Sequence, residues 1–132
     1  MGLNKPVGFP TAKLLKEKGF DRVTTSAYHK NSGELIFTDW DNVESNDDIL
    51  IPKSFNTDKE SWLISAPTIA DVVMWLYEKH GIWIYSFRHD FDKEFYWSID
   101  TKNEDEFTSD NVFNSPTEAY SEAIDYTLNN LL

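Results

Sequence analysis

The fold is decided by residues 67–81, PTIADVVMWLYEKHG. Apolar side chains recur there with the 3.6-residue period of one helix face. They are Ile69, Val72, Val73, Leu76 and Tyr77. Ser65 or Thr68 can cap the start of this segment, and Gly81 can end it in a left-handed conformation. We therefore expect a helix over these residues, with its apolar stripe facing a core.

A β-hairpin is predicted directly after this helix, because residues 82–88 and 95–101 alternate in polarity around the turn 89–94. In one interpretation, aromatic side chains of the two strands pack together in the core. The alternative leaves the other face, with Tyr96, Ile82 and Ile84, open as a docking surface. The rings of the first interpretation are Trp83, Tyr85, Phe87, Phe95 and Trp97.

Two further helices are indicated by their end signals. Ser115 and Glu118 form a capping box around a proline, which predicts a helix over the last residues of the chain. Near the start, residues 10–20 carry basic side chains toward their C-terminal end, and Gly19 followed by Phe20 is a typical helix stop.

The rest of the chain gives weaker signals. A second hairpin is predicted over residues 23–29 and 34–40, followed by an acidic loop over residues 41–60 with a possible strand at 49–51. Strands that alternate with helices in this order predict an α+β fold. We expect one four-stranded, mostly antiparallel sheet made of two hairpins, packed against about three helices.

The length of 132 residues fits a single domain with one core, and residues 1–9 are expected to be flexible. Each half of the chain contains Pro-Thr, ends a helix at Gly plus an apolar residue and then enters a hairpin. An internal repeat is therefore an alternative that these few matching positions leave open.

Charge is divided unevenly along the chain. The 12 basic and 23 acidic side chains give a net charge of −11. Residues 1–30 carry a net +4, and the remaining residues carry a net −15.

Nine Phe, six Tyr and five Trp supply large apolar rings, so a disordered acidic tail is excluded.

The absence of cysteine excludes a disulfide scaffold, thiolate zinc and a cysteine nucleophile. The first twenty residues contain no apolar run of about 7–15 residues, which argues against a secretory signal. The longest nearly uncharged stretch, residues 61–70, is too short to span a membrane. We expect a soluble, cytoplasmic protein that does not contact membranes.

Three stretches of the chain resemble a family of small uncharacterised proteins encoded by gut Bacteroides-type genomes and their prophages. The resemblance rests on AKLLKEKGF at residues 12–20, on APT at 66–68 leading into WLYEKHGI at 75–82, and on Glu118-Ala119 in the terminal helix. These motifs are helix caps and core positions. The resemblance implies a phage or mobile-element origin, and it carries no activity or site residues.

Residues that could carry chemistry have simpler explanations. His80 lies in the last turn of the predicted helix, where a histidine interacts favourably with the helix dipole. His29 and His89 also lie at the ends of predicted elements. The acidic turns at 39–42 and 89–94 lack the glycine of a calcium loop. Neither a nucleophile elbow nor a glycine-rich phosphate loop is present. The sequence therefore predicts no catalytic residue, metal ligand or cofactor.

The function expected from these observations is a non-catalytic protein-interaction module of phage or mobile-element origin. One alternative is an acidic nucleic-acid mimic that inhibits a host DNA-binding protein, and another is a hydrolase of unknown type. Direct binding of nucleic acid is disfavoured because the acidic body would repel phosphate. The oligomeric state is left open. The predicted partner-contact residues are Asp41, Glu44, Asp47 and Asp48.

Overall fold

The computed structural model describes residues 2–37, 54–57, 62–88 and 93–132. They belong to two compact units. The amino-terminal unit comprises Pro6–Pro67, and the carboxy-terminal unit comprises Met1–Lys5 together with Thr68–Leu132.

The amino-terminal unit begins with helix α1, Phe9–Glu17. Ala12 and Leu15 on this helix are fully buried. The helix ends as the sequence predicts, because Gly19 adopts a φ of +90° that other residues rarely take. The amide of Phe20 then donates a 2.9 Å hydrogen bond to the carbonyl of Leu15, and the Phe20 ring is buried.

A three-stranded antiparallel sheet follows, made of β1 (Ser26–His29), β2 (Leu35–Phe37) and β3 (Leu63–Ser65) in the order β2-β1-β3. Between β1 and β3 along the chain, residues 55–57 form a single 3₁₀ turn. The turn places Phe55 in a small buried cluster with Ala27 and Leu63. Part of the predicted acidic loop therefore contributes to the core.

The carboxy-terminal unit contains helix α2, Ile69–Trp75, which continues into a π-helical turn over Leu76–His80. A capping box fixes the start of α2. The Asp71 amide donates to the Thr68 hydroxyl over 3.1 Å, and the Thr68 amide donates to the Asp71 carboxylate over 3.2 Å. The π-helical turn shifts the phase of the side chains after Trp75, because its hydrogen bonds run from i to i+5.

The predicted apolar stripe is consequently correct at its start and wrong at its end. Ile69, Val72, Val73 and Leu76 are buried, as expected. Tyr77 is 53% exposed, and Trp75 is buried instead. The helical period that predicts a buried Tyr77 does not extend through the wider turn.

The second sheet contains β4 (Trp83–Arg88), β5 (Phe95–Asp100) and β6 (Glu106–Thr108) in the order β4-β5-β6, all antiparallel. Helix α3, Pro116–Asn130, packs against β4 and β5. Its start is capped as predicted, since the amide of Glu118 donates a 3.2 Å hydrogen bond to the Ser115 hydroxyl.

The α+β class is therefore confirmed, but the prediction of one four-stranded sheet is wrong. The described residues contain three α-helices and two separate three-stranded sheets. Each hairpin acquires its own third strand, β3 or β6. These strands have three residues each, and all three residues of β3 are buried. Strands this short show no alternation that the sequence could reveal.

The two units share a helix-plus-sheet composition but differ in topology. The central strand is the first strand of the amino-terminal unit and the second strand of the carboxy-terminal unit.

Residues near the chain start, predicted to be flexible, make specific contacts within each unit. The Val7 amide donates to the Pro67 carbonyl over 2.9 Å, and the Ile69 amide donates to the Lys5 carbonyl over 3.1 Å.

Candidate protein-docking surface

The two faces of the second sheet carry different side chains. In the β4–β5 register, Ile84 lies opposite Ile99, Ser86 opposite Trp97, and Phe87 opposite Tyr96. Directly paired residues share a face of an antiparallel sheet. One face therefore carries Ile84, Trp97 and Ile99, and the other carries Phe87 and Tyr96.

This register corrects the predicted grouping of the rings. Alternation within each strand is as predicted, but Trp97 lies on the opposite face from Trp83. Sequence parity cannot reveal register, because a one-residue slip between strands exchanges the two faces. Trp97 is in the core, as expected, whereas Trp83 is 41% exposed. Ile82 and Ile84 are buried, so the predicted open surface around them does not exist.

An exposed apolar patch is present elsewhere in the carboxy-terminal unit. Four large apolar side chains have high exposed fractions: Leu3 at 37%, Met74 at 45%, Tyr77 at 53% and Trp83 at 41%. Three of them line a groove of about 190 Å³. We call this feature the Trp83 groove; its lining is Leu3, Ala70, Val73, Met74, Trp83, Ile84 and Tyr120.

Local backbone geometry builds the Trp83 groove. Ala70 and Met74 are spaced i, i+4 on α2, so they occupy the same helix face. The π-helical turn ends at Gly81, whose φ of +67° allows the chain to turn into β4. Trp83 then meets Tyr77 edge to face, with ring centroids 5.3 Å apart.

Leu3 enters the Trp83 groove from a 3₁₀ turn over Gly2–Asn4 that packs against α2. A side chain at Gly2 would collide with Thr117, because a Cβ there would lie 1.6 Å from the Thr117 hydroxyl oxygen. The absence of a Cβ at Gly2 therefore lets this turn approach α3 closely. The groove thus combines side chains from the first residues of the chain, α2, β4 and α3.

The chemistry of the Trp83 groove is that of apolar contact. Its lining contains no carboxylate, imidazole or amine. Aromatic residues and methionine are enriched at protein interfaces, where they supply large contact area and adaptable packing. Exposed apolar side chains grouped around one groove favour a protein-binding site.

His80 lies at a second cavity of the carboxy-terminal unit, about 360 Å³ in volume. Its ring stands edge-on to Trp75 at 4.9 Å, and its Nε2 is buried with no hydrogen-bond partner among the described residues. Burial lowers the pKa of His80, and the charges of Lys79 and Lys102 lower it further. The predicted helix-dipole role required a charged imidazole, whereas this environment favours the neutral form.

In the amino-terminal unit, basic side chains lie around a cavity of about 450 Å³. Lys13, Lys16 and Lys30 line it together with Glu17. The ammonium group of Lys13 also lies 4.9 Å from the centre of the Phe9 ring. Three of the basic side chains in the first thirty residues therefore lie around one cavity.

The predicted contact residues Asp41, Glu44, Asp47 and Asp48 lie outside the described residues. Their role stays a prediction. In the part of the chain that is described, no group of three His, Asp or Glu side chains is placed to hold a metal ion. None of the described helices combines the length and the apolar character that a membrane span requires.

Comparisons with known proteins add no assignment. No protein-family model, curated protein or solved structure matches the chain.

Proposed function

We propose that the protein is a non-catalytic protein-interaction module of phage or mobile-element origin, and that the Trp83 groove is where it contacts its partner. The observation that carries this proposal is the exposure of Leu3, Met74, Tyr77 and Trp83 around one apolar groove. The phage or mobile-element origin is supported by the sequence resemblance alone.

The occupant we propose is an apolar segment of a partner protein flanked by basic residues. The groove is lined by apolar and aromatic side chains and offers a partner no charged group. The described residues of the carboxy-terminal unit, to which the groove belongs, contain eleven carboxylates and five basic side chains in all. The net negative charge of this unit speeds the approach of a basic partner and disfavours an acidic one.

The test uses two exposed apolar residues of the same unit. Met74 lines the Trp83 groove and is 45% exposed, whereas Val112 lies outside it and is 41% exposed. Wild-type protein, Met74→Glu and Val112→Glu are immobilised, and bacterial proteins retained by each are identified by mass spectrometry. We expect wild type and Val112→Glu to retain a partner that Met74→Glu loses.

Other outcomes would contradict the proposal. A partner retained equally by all three proteins would not use the groove. A partner displaced by duplex DNA and by salt, but still bound by Met74→Glu, would favour nucleic-acid mimicry. A dimer in light scattering that Met74→Glu dissociates would make a second copy of this chain the occupant.

A further inference from the structure

A third cavity of the carboxy-terminal unit, about 340 Å³ in volume, combines aromatic rings with carboxylates. It lies beside β6 and α3 and is separate from the Trp83 groove. Its aromatic lining is Trp97, Phe107 and Tyr126, and its acidic lining is Glu106, Asp110 and Glu122.

The three rings form one wall. Trp97 on β5 is only 4% exposed. The Tyr126 ring on α3 lies 5.2 Å from it, with an interplanar angle of 42°. Phe107 on β6 lies 5.9 Å from Tyr126 at 47°. The three rings thus pack together beside the cavity, with Tyr126 in contact with both of the others.

Trp97, one of the three rings, also carries a hydrogen-bond donor. The indole Nε1 of Trp97 is buried and has no hydrogen-bond partner among the described residues. An indole N–H at a protein surface or cavity is usually satisfied. Because Trp97 lines the cavity, its indole N–H signal reports on a ligand bound there.

The three carboxylates come from different elements. Asp110 follows β6, and Glu122 lies one helical turn before Tyr126 on α3. Glu106 pairs with Asp100 in the β5–β6 register, so its side chain lies on the face of the sheet opposite Trp97 and Phe107, and the carboxylates available to a ligand are Asp110 and Glu122. Among the described residues none of the three forms an ion pair, and the one side-chain hydrogen bond they make there is the 3.4 Å bond that Glu106 accepts from the Ser98 hydroxyl. No Lys or Arg lines the cavity. Within the described ranges, no cation therefore pairs with Asp110 or Glu122.

We infer that this cavity binds a guanidinium group. A planar guanidinium can lie against the face of an aromatic ring while its N–H groups donate to carboxylates. A quaternary ammonium would use the rings but could not donate to the carboxylates. A primary ammonium is more strongly hydrated and cannot match a carboxylate with a planar pair of donors.

Two sources could supply the guanidinium: an arginine side chain of another protein, or a small guanidinium compound. The inference does not rest on the proposed function, because the Trp83 groove contributes none of these residues. Met74→Glu should therefore leave guanidinium binding unchanged, so that either idea can fail without the other.

The experiment follows the backbone and indole N–H signals of ¹⁵N-labelled protein by NMR during titration. The probes are N-acetyl-arginine amide, the corresponding compound in which citrulline replaces arginine, and a short peptide containing arginine. We expect arginine to shift the Trp97 indole signal and citrulline, which is uncharged, to have no effect. Tighter binding of the peptide than of the single residue would identify a protein side chain as the source, and equal binding would identify a small compound.

Variants test the carboxylates. Glu122→Gln and Asp110→Asn should each weaken arginine binding about tenfold, which corresponds to losing one charge-assisted hydrogen bond. Glu34→Gln removes the same charge from an exposed residue of the amino-terminal unit and should bind arginine like wild type. Equal shifts with arginine and citrulline, or undiminished binding by both cavity variants, would overturn the inference. Matching spectra away from the cavity establish that the variants are folded.

Discussion

Gly81→Ala should destabilise the protein, because the glycine has two separate functions in the turn between the π-helical turn and β4. Its φ of +67° is in the left-handed region, where a residue with a Cβ costs about 1–2 kcal/mol. In addition, a Cβ at this position would lie 1.9 Å from Cε of Lys102, so the Lys102 side chain must move. A displaced, off-rotamer lysine adds about 0.5–1.5 kcal/mol.

Gly19→Ala is the matched control. Its φ is +90°, but in the described part of the chain, local backbone and chain neighbours aside, no atom lies within 4 Å of a Cβ built there. It should therefore show the backbone cost alone, about 1–2 kcal/mol. Gly81→Ala should lose more, and the double variant with Lys102→Ala should recover the difference.

The assay is urea unfolding followed by tryptophan fluorescence and circular dichroism, with thermal unfolding in parallel. A loss of 1 kcal/mol in a chain of this size lowers Tm by about 4 °C. Gly81→Ala with an unchanged midpoint would refute the reasoning for the turn. A loss equal to that of Gly19→Ala, unaltered by Lys102→Ala, would refute the steric part.

Two further perturbations test the packing of the carboxy-terminal unit. Ile124→Ala removes a fully buried side chain from α3 and should lower the free energy of unfolding by about 2–5 kcal/mol in the same urea assay; a loss below about 1 kcal/mol would mean that this face of α3 is not packed. The pKa of His80 is lowered in the folded state, so its contribution to stability is present above its unfolded pKa of about 6.5 and is lost as pH falls through the folded value. His80→Gln should accordingly flatten the decrease of the urea midpoint below about pH 6.5, and a pH profile identical to that of wild type would contradict this.

The sequence predicted the features that depend on neighbouring residues. The capping box at Ser115, the stop at Gly19 and the buried start of α2 each arise within one or two helical turns. The β4–β5 hairpin was also predictable, because alternation over six residues in each strand is a strong pattern. These signals were sufficient for the α+β class.

The remaining features depend on contacts between distant residues. β3 and β6 are short and are strands only because β1 and β5 pair with them. The π-helical turn changes which side chains of residues 76–80 are buried, and no pattern in the sequence predicts this turn. The β4–β5 register, which separates Trp83 from Trp97, is a property of the assembled sheet.

The Trp83 groove was missed for the same reason. Met74 is apolar but lies outside the predicted stripe of α2, and this mismatch was a usable signal. Leu3 gave no signal, because its position depends on the close approach of Gly2 to Thr117. The acidic contact residues Asp41, Glu44, Asp47 and Asp48 remain a prediction from charge.

The most direct test of the proposed function is the affinity of the purified partner for Met74→Glu relative to Val112→Glu, measured by isothermal titration calorimetry. A charge placed in the Trp83 groove should weaken binding at least about tenfold, as for a central interface residue. The same charge at Val112 should leave the Kd within about twofold of wild type, as for surface residues outside an interface. Equal Kd values for the two variants would contradict the assignment of the groove as the partner-binding surface.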